Sequence, residues 1–417
     1  MTSNDLIRWA ASGCMSLTGS ASSRGLGPPS GLIPFVDRLA ERIARASAAI
    51  GNTVEIDPLA TLAERAAWAE LSRQGTLSCG GASRLLQARH GWVAVTLARP
   101  DDFELIPAWT HSEANLDPWE AVARYCALHD GATIVERGAM LGLAVGQIPP
   151  ADLGGGPPAP APAPVGTQAS ATAGAKPRTR PRTRLLARRP MRASDAVVID
   201  LSSLWAGPLC GALLAQAGCT VIKVESTHRP DGARLGSAQF FDRLNSAKAS
   251  VALDFRSAED RVLLARLIRA ADVVIEASRP RALRQLGLAP ADFAMQGPAV
   301  WASITGYGYH SGNRVAFGDD AAVAGGLAVY DGDQPMFCAD AIADPLSGMA
   351  AAAEILEALQ QGTRGHIDIS MSETARAGVG PTLKMPAQLV AASPTRPCQS
   401  VESPLLGADT RRVLAEI

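Results

Sequence analysis

Several residue types are scarce in this chain of 417 residues, and their scarcity excludes classes of protein. Aromatic residues make up 5% and charged residues 19%, and the formal net charge is −1. Proteins that bind nucleic acid or membrane surfaces usually present a strongly basic face, so this balance disfavours both partners. No apolar run reaches the length of about 20 residues that a membrane-spanning helix needs.

Cysteine and histidine are also sparse, with seven cysteines and six histidines. The cysteines are scattered, odd in number and without a C-x-x-C pair, which disfavours a disulfide framework and a zinc site. The histidines do not cluster, so no other metal site is expected. The first residues include Asn4 and Asp5 and lack a following apolar stretch, which disfavours a signal peptide. We therefore expect a cytoplasmic protein with reduced thiols and no metal.

A segment of biased composition divides the chain. Residues 154–192 are rich in Pro, Ala and Gly at first and then in Lys and Arg, with no acidic residue in the basic part. Such a segment cannot bury a core, and it predicts a flexible linker between residues 1–153 and 193–417. A basic run can also contact nucleic acid or an acidic partner, and this alternative stays open. Hydrophobic residues make up 47% of the chain, enough for sizeable cores on both sides.

Beyond the linker, short apolar runs alternate with helical segments. The runs have the length of buried strands and cover residues 196–201, 220–225, 251–254, 273–276 and 300–304. One helix is predicted at 209–217, and Pro208 just before it suits the first helical position. A second helix is predicted at 259–271. Strands that alternate with helices predict βαβ units and a parallel sheet. We therefore predict an open, Rossmann-like α/β layer over residues 195–310.

Two parts of the chain show the same order of features. Each has a small-residue stretch, an aspartate, a helical run rich in Ala and Ile, a glycine and a strand-like piece, at 53–57 in one part and 366–370 in the other. This order predicts two versions of one unit, with Asp37 at the position of Asp344. Chance similarity between Ala-rich helices is the alternative.

Common cofactor motifs are absent from the sequence. The turn after the first strand contains Gly207, and Glu225 ends the next strand, but the turn lacks the G-x-G-x-x-G pattern. A nicotinamide cofactor is therefore not expected. The sequence also contains no P-loop, no H-E-x-x-H and no G-x-S-x-G motif.

Asp344 directly precedes Pro345 and a long helical run. This pattern is typical of an N-cap aspartate with proline at the first helical position, which is a purely structural role. The same geometry places a carboxylate at the positive end of a helix dipole. Such a carboxylate could attack an acyl carbonyl and form a covalent intermediate.

Several motifs, taken together and in order, resemble the class III CoA-transferases. This family includes formyl-CoA:oxalate and carnitine CoA-transferases and α-methylacyl-CoA racemase. The similar stretches are residues 198–208, 217–225, 240–254, 274–288, 303–308, 344–371 and 403–416. Residues 75–95 and 141–145 resemble the second domain of the family, which normally lies downstream. The resemblance therefore implies a smaller α+β domain in residues 1–153, ahead of the Rossmann-like domain.

The resemblance implies that CoA moves between an acyl-CoA and a carboxylic acid. It makes Asp344 the nucleophile that forms an aspartyl-acyl anhydride. Asp319 is a candidate neighbour that would tune the pKa of Asp344, and an ordinary surface acid is the alternative. It places the CoA-binding residues at Trp205, Ala206, Arg234, Asn245, Ser246, Ala247, Lys248, Ala277, Ser278, Arg279, Phe317 and Gly318. Coenzyme A, as substrate and product, is the only cofactor implied, and an interlocked homodimer is expected. Gly80 and Gly81 could form a lid or a plain turn.

The chain also departs from the family pattern. The family often has Asn-Phe at Ala277 and Ser278, and Arg at Gln285, which changes the expected contacts with CoA. The racemases carry Gly-His-Asp where this chain has Gly318, Asp319 and Asp320, so no imidazole removes an α-proton there. The transferase is therefore favoured over a racemase. A CoA-binding scaffold without catalytic activity is the third alternative.

Overall fold

The computed structural model describes residues 3–113, 115–150, 190–397 and 401–416. Nearly all of the predicted linker, 154–192, lies outside these residues. The helices are α1 (Ser3–Ala11), α2 (Leu32–Ile50), α3 (Pro58–Ala69), α4 (Pro100–Glu104), α5 (Ile106–Thr110), α6 (Pro118–Leu128), α7 (Gly131–Leu141), α8 (Ala206–Gln216), α9 (Ala238–Asn245), α10 (Ala258–Ala270), α11 (Pro280–Gln285), α12 (Gly318–Gly325), α13 (Ala343–Gln361), α14 (Met371–Arg376) and α15 (Thr410–Ala415). The strands are β1 (Ser83–Gln87), β2 (Trp92–Thr96), β3 (Ala144–Gln147), β4 (Val197–Asp200), β5 (Thr220–Ser226), β6 (Ala249–Leu253), β7 (Val273–Glu276), β8 (Val300–Thr305), β9 (Val329–Asp331), β10 (Gln334–Met336) and β11 (Gly365–Ser370).

A six-stranded sheet forms the centre of the molecule, in the order β11-β8-β7-β4-β5-β6. All neighbouring strands in it are parallel. Counted along the chain, this order is 3-2-1-4-5-6, which is consistent with a Rossmann-like sheet. The predicted α/β class with a parallel sheet is confirmed. Each of the five predicted strands is present, and β11 adds a sixth at one edge.

The strand register gathers the loops after the strands at one edge of the sheet. Val198 in the middle of β4 pairs with Val221 on β5 and with Val273 on β7. The carboxyl ends of these strands therefore meet at the same edge. Ligands of open parallel sheets bind at that edge, where the strand order reverses between the first and fourth strands. Here this point lies between β4 and β7.

Helix α13 covers one face of the sheet and packs against α8 and α2. The helices approach closely because α13 is rich in alanine and has a glycine, Gly348, at the contact. A Cβ added to Gly348 would lie 2.6 Å from the backbone oxygen of Ala206 on α8, which leaves no space for a side chain. This close contact fixes the start of α8 against the first turns of α13.

The N-terminal part packs in two places. Buried residues of α1–α3, including Trp9, Val36 and Leu62, belong to the same core as the sheet layer beyond residue 193. The antiparallel sheet β1-β2-β3 and helices α4–α7 instead surround a separate core that contains Trp109 and Ile134. The division into domains 1–153 and 193–417 stays a prediction. Helices α1–α3 belong to the first of these segments by sequence but pack in the core of the second.

The proposed internal repeat is only partly reflected in the structure. Helices α2 and α13 each have 19 residues. The strand predicted at 53–57 is wrong: the backbone there is extended but joins no sheet among the described residues. The N–H of Val54 donates to Ser47 Oγ at 2.9 Å instead of to a strand. Asp37 lies inside α2 and accepts two bonds from Arg8, at 2.9 and 2.7 Å.

Within the described ranges, no helix is long and apolar enough to cross a membrane.

Candidate active site

Asp344 lies in the first turn of α13. The helix begins at Ala343 with Ile342 as its N-cap, so the prediction that Asp344 is the N-cap and Pro345 the first helical residue is wrong. The reason is the preceding loop, in which Ala339 and Ala341 have φ angles of 55° and 42°. These left-handed conformations turn the chain earlier than the proline signal indicates. They are costly for alanine and are typical of functional sites.

Helix α8 also begins earlier than predicted, at Ala206, so Pro208 is its third residue and not its first. This start places the N–H of Ala206 near the carboxylate of Asp344, where it lowers the pKa of that carboxyl group. Leu204, just before the helix, has a φ of 69°, another left-handed conformation. The turn after β4 is therefore shaped to present a backbone donor to Asp344.

The Asp344 carboxyl group is crowded but keeps partial contact with solvent. A Cβ added to Gly318 would lie 2.4 Å from Asp344 Oδ2, so glycine is needed at that position. Burial raises the pKa of Asp344 to about 7, and the charges of Asp319 and Asp340 act in the same direction. Arg65 and the N–H of Ala206 oppose this rise. A carboxyl with this pKa is ionised in a large fraction of molecules at neutral pH and is poorly solvated.

Asp319 lies beside Asp344, at the start of α12. Its Oδ1 accepts a bond from the N–H of Ala341 at 3.1 Å, and its Oδ2 accepts one from Ser83 Oγ at 2.9 Å. Burial and the charge of Asp340 raise the pKa of Asp319 to about 6. The structure thus brings together the two carboxylates that the sequence singled out, and their catalytic roles stay predictions.

Two further charged residues complete this cluster, and sequence reasoning missed both. Arg65 on α3 donates from Nε and Nη2 to the two carboxylate oxygens of Asp340, at 2.8 and 2.5 Å. Its guanidinium carbon lies 5.6 Å from the centre of the Trp205 ring. Arg65 and Asp340 are 275 residues apart, and no motif marks Arg65. The one signal in the sequence was that Asp340 precedes Asp344 by four residues, which is about the spacing of one helical turn.

A fourth acidic residue, Asp320, links the N-terminal part to α12. It is fully buried, and its Oδ1 accepts bonds from the N–H of Phe317 at 2.8 Å and from Thr96 Oγ1 at 3.2 Å. Thr96 in turn shares a 2.9 Å hydrogen bond with Ser83, the partner of Asp319. Burial raises the pKa of Asp320 to about 7. Strands β1 and β2 therefore supply hydroxyl groups to both acids of α12.

Two predicted CoA-binding residues, Lys248 and Asn245, form internal contacts. The buried Lys248 ammonium donates to Asp200 Oδ2 at 2.8 Å and to the backbone oxygen of Pro208 at 2.9 Å. The buried Asn245 amide donates to the backbone oxygen of Phe241 at 3.0 Å. Lys248 therefore joins the end of β4 to α8, and Asn245 bonds within its own helix α9. Their predicted contacts with CoA stay predictions.

Arg234 is also engaged within the chain. It donates to both oxygens of Glu225, at 2.9 and 2.6 Å, and stacks 4.4 Å from the centre of the Phe241 ring. The neighbouring Ser246 is partly exposed and Ala247 is exposed. Of these three predicted positions, the loop at 246–247 is the more accessible to a ligand.

The segment after β7 offers the most open of the predicted CoA-binding positions. Ala277 is exposed, and the N–H and hydroxyl of Ser278 both donate to Glu276 Oε2, at 3.0 and 2.7 Å. The side chain of Arg279 is partly exposed, and in the described part of the chain no carboxylate hydrogen-bonds to it. Burial and the nearby charges of Arg99, Arg281 and Arg229 lower its pKa.

This group of four arginines, which we call the arginine cluster (Arg99, Arg229, Arg279 and Arg281), lies by the carboxyl edge of the sheet. Arg99 is held by Asp102 and by the backbone oxygen of Gly142, at 2.9 Å for the latter. Like charges at this density repel one another and favour a bound anion. Guanidinium groups bind phosphate oxygens well because of their planar, paired donors. Among the described residues, no group of acids, histidines or cysteines is arranged to hold a metal.

Comparison with known proteins now gives the class of protein. A family model described as CoA-transferase family III matches residues 194–408, which is more than half of the chain. The chain therefore belongs to CoA-transferase family III, as the sequence motifs indicated. Arg65 and Ser83, which complete the carboxylate cluster, lie outside the matched residues.

Relatives of established name share this part of the chain. A succinate–glutarate CoA-transferase from Agrobacterium fabrum is 32% identical in an alignment 203 residues long that covers 43% of this chain and 51% of that protein. A formyl-CoA:oxalate CoA-transferase from Escherichia coli is 32% identical over 176 residues, covering 39% and 42% of the two chains. A solved CAIB/BAIF family protein from Brucella suis is 28% identical with a TM-score of 0.40, covering 44% of this chain and 54% of that one. The chain spans about half the length of the curated relatives that it matches.

Proposed function

We propose that this protein transfers CoA between an acyl-CoA thioester and a carboxylic acid, with Asp344 as the covalent nucleophile. The observation that carries the proposal is the state of Asp344 in the first turn of α13. Asp344 is partly exposed, its carboxylate lies near the N–H of Ala206, and Gly318 confines it. Its pKa of about 7 gives a weakly solvated anion, which is a better nucleophile than a surface aspartate.

The first half of the reaction forms an anhydride. An oxygen of the Asp344 carboxylate attacks the thioester carbonyl carbon, the carbon–sulfur bond breaks and CoA leaves as a thiolate that stays bound. An acceptor carboxylate then attacks the Asp344 carbonyl carbon of the anhydride and displaces the donor acid. The thiolate finally attacks the acyl carbon of the acceptor, which forms the new thioester and returns Asp344 as a carboxylate.

The chain supplies three aids to this sequence. The N–H of Ala206 lies near the Asp344 carboxylate and favours its ionised form, which is the form that attacks. The crowded packing of Gly318 against the carboxyl group limits the space for water, which would hydrolyse the anhydride. The arginine cluster provides charge for the phosphate groups of CoA, which are present in every acyl-CoA whatever its acyl group.

The names of the relatives suggest the class of substrate. They act, by name, on succinate, glutarate, oxalate and formyl-CoA. We propose small acids of this kind for the present protein as well. A homodimer and a cytoplasmic location stay predictions. The transferase is preferred to a racemase because Asp319 stands where the racemases carry a histidine, so no imidazole is there to remove an α-proton. It is preferred to a non-catalytic scaffold because the environment of Asp344 suits a nucleophile.

Hydroxylamine trapping followed by mass spectrometry of the intact protein tests the proposal. Hydroxylamine converts an activated aspartyl carbonyl into a stable hydroxamate. We expect a mass gain at Asp344 when the enzyme is incubated with a productive acyl-CoA from a panel of short mono- and dicarboxylic thioesters. The gain should vanish in Asp344→Ala and persist in the control Asp37→Ala, which removes the matching aspartate of α2. Failure of every thioester to label the wild type, or a label that survives in Asp344→Ala, would contradict the proposal.

A further inference from the structure

Arg65 enters the carboxylate cluster from a part of the chain that the family model does not match. It stands on α3, which packs beside α9 and α13. Its two bonds to Asp340 have the paired geometry that gives arginine–carboxylate contacts their strength. Trp205, next to Ala206, lies under the guanidinium. Arg65 therefore touches both segments that shape the surroundings of Asp344.

Asp340 connects this contact to Asp344. Its side chain is 1% exposed, so its charge requires a partner. It lies between Ala339 and Ala341, the two residues with left-handed backbone, in the loop that leads into α13. The same loop is anchored by Thr18, which accepts a bond from the N–H of Ala339 at 3.0 Å, and by Asp319, which accepts from Ala341. The pairing with Arg65 thus fixes the loop from which Asp344 projects.

The cluster around Asp344 contains more acidic than basic side chains. Asp319 on α12, Asp340 in the loop and Asp344 on α13 all act on one another, and Arg65 is the cation that acts on Asp344. Cys79 also lies near Asp319 and Asp340, but burial raises the pKa of its thiol, which keeps it neutral. Without Arg65, the carboxylates would repel one another with no compensating charge.

We propose that Arg65 is a positioning residue for the transfer reaction, holding Asp340 in place and supplying the positive charge beside the Asp344 carboxylate. This inference rests on the proposed function. Arg65 acts through the loop and through its field, without touching the reacting carbonyl. It makes the N-terminal part of the chain a contributor to the chemistry and not merely a neighbouring domain.

The proposal gives opposite signs for the two members of the pair. Removing the cation in Arg65→Gln should move the pH midpoint of Asp344 labelling upward by about one pH unit, because an opposite charge at this range shifts a carboxyl by one unit or more. Removing the anion in Asp340→Asn should move the midpoint downward. The double variant, Arg65→Gln with Asp340→Asn, should return close to the wild-type midpoint. Arg65→Lys keeps the charge and should stay within a few tenths of a unit.

The measurement is the rate of hydroxylamine labelling at Asp344 as a function of pH, with the full chain and a productive acyl-CoA. Arg42→Gln is the matched control. Arg42 also joins the N-terminal part to α13, through bonds to Glu354 and Glu357 at 2.6 and 2.8 Å. Its partner Glu354 lies ten residues along α13 from Asp344, or about 15 Å. We expect Arg42→Gln to lower stability without moving the pH midpoint.

The outcomes separate this inference from the proposed function. Absence of labelling in the wild type would contradict the proposed function itself. Labelling in the wild type with an unchanged midpoint in Arg65→Gln would overturn the role of Arg65. If that variant does not fold, a double variant with the same midpoint as Asp340→Asn would overturn it, since Arg65 would then have no effect on Asp344. Shifts of the same sign in Asp340→Asn and Arg65→Gln would overturn it as well, since disruption of the structure alone gives no reason for opposite signs.

Discussion

Replacing Asp344 by asparagine should stabilise the fold, and more strongly at pH 8 than at pH 5. Burial raises the pKa of Asp344 from the ordinary value of 3.8 to about 7 in the folded protein. The unfolded chain releases this proton near the ordinary value, so between these pH values the folded state holds a proton that the unfolded state has lost. Stability therefore falls as the pH rises through this window. Asparagine cannot ionise and avoids the loss.

The magnitude follows from the two pKa values. The interval from 3.8 to about 7 corresponds to about 4 kcal/mol, since one pH unit is worth ~1.4 kcal/mol. Asp344 keeps partial contact with solvent, which screens its charge, so we take about half of this, ~2 kcal/mol. Between pH 5 and pH 8 the larger part of that difference develops. We expect the gain from Asp344→Asn to be about 1–1.5 kcal/mol larger at pH 8 than at pH 5.

Urea unfolding followed by tryptophan fluorescence measures this difference. The wild type, Asp344→Asn and Asp37→Asn are compared at both pH values. Asp37 serves as the control because it is paired with Arg8 on the surface side of α2 and its loss should not stabilise the fold. An equal gain for Asp344→Asn at pH 5 and pH 8, or a larger gain at pH 5, would refute the reasoning. It would mean that Asp344 does not titrate near neutrality, and the case for a poorly solvated nucleophile would fall with it.

Three further predictions concern other parts of the structure. Lys248→Met leaves the Asp200 carboxylate buried without its partner, and unfolding in urea should show a loss of about 3–5 kcal/mol; an unchanged midpoint would contradict the structural role. Gly318→Ala puts a methyl group 2.2 Å from the backbone oxygen of Ala341 and 2.4 Å from Asp344 Oδ2, so labelling at Asp344 should slow about 100-fold; labelling at the wild-type rate would contradict the crowding of this carboxyl group. Arg279→Gln should weaken CoA binding about tenfold but leave the binding of an acyl-pantetheine unchanged; equal losses for both ligands would rule out phosphate recognition by the arginine cluster.

The parallel sheet could be predicted because its strands are marked in the sequence by short apolar runs. Runs such as Val273–Glu276 are short, apolar and bounded by polar residues, and they are buried in the sheet as such runs should be. The segment 53–57 has a similar alternation but forms no strand, because the N–H of Val54 donates to Ser47 Oγ and not to a neighbouring strand. Hydrogen bonds from side chains to the backbone compete with sheet pairing and leave little trace in the local pattern.

The candidate site was predictable where its residues share one segment and not where they come from distant ones. Asp344 could be found because it begins a long helix, although two left-handed alanines moved the helix start. Arg65 and Ser83 could not be found, since more than 200 residues of sequence separate each from its partner. Their side chains are of common types, and their positions follow from packing alone.

The contact between α2 and α13 has a consequence for how the protein is made. Arg42 meets Glu357 across 315 residues of chain, and the apolar face of α2 is buried largely by residues that follow the linker. A ribosome adds about 5–20 residues per second, so α2 waits on the order of 15–60 s for its partner helix. During synthesis its buried surface has no native partner, and the nascent chain is exposed to aggregation or chaperone capture for that interval. Slower translation ahead of α13 would lengthen the exposure and lower the yield of folded protein.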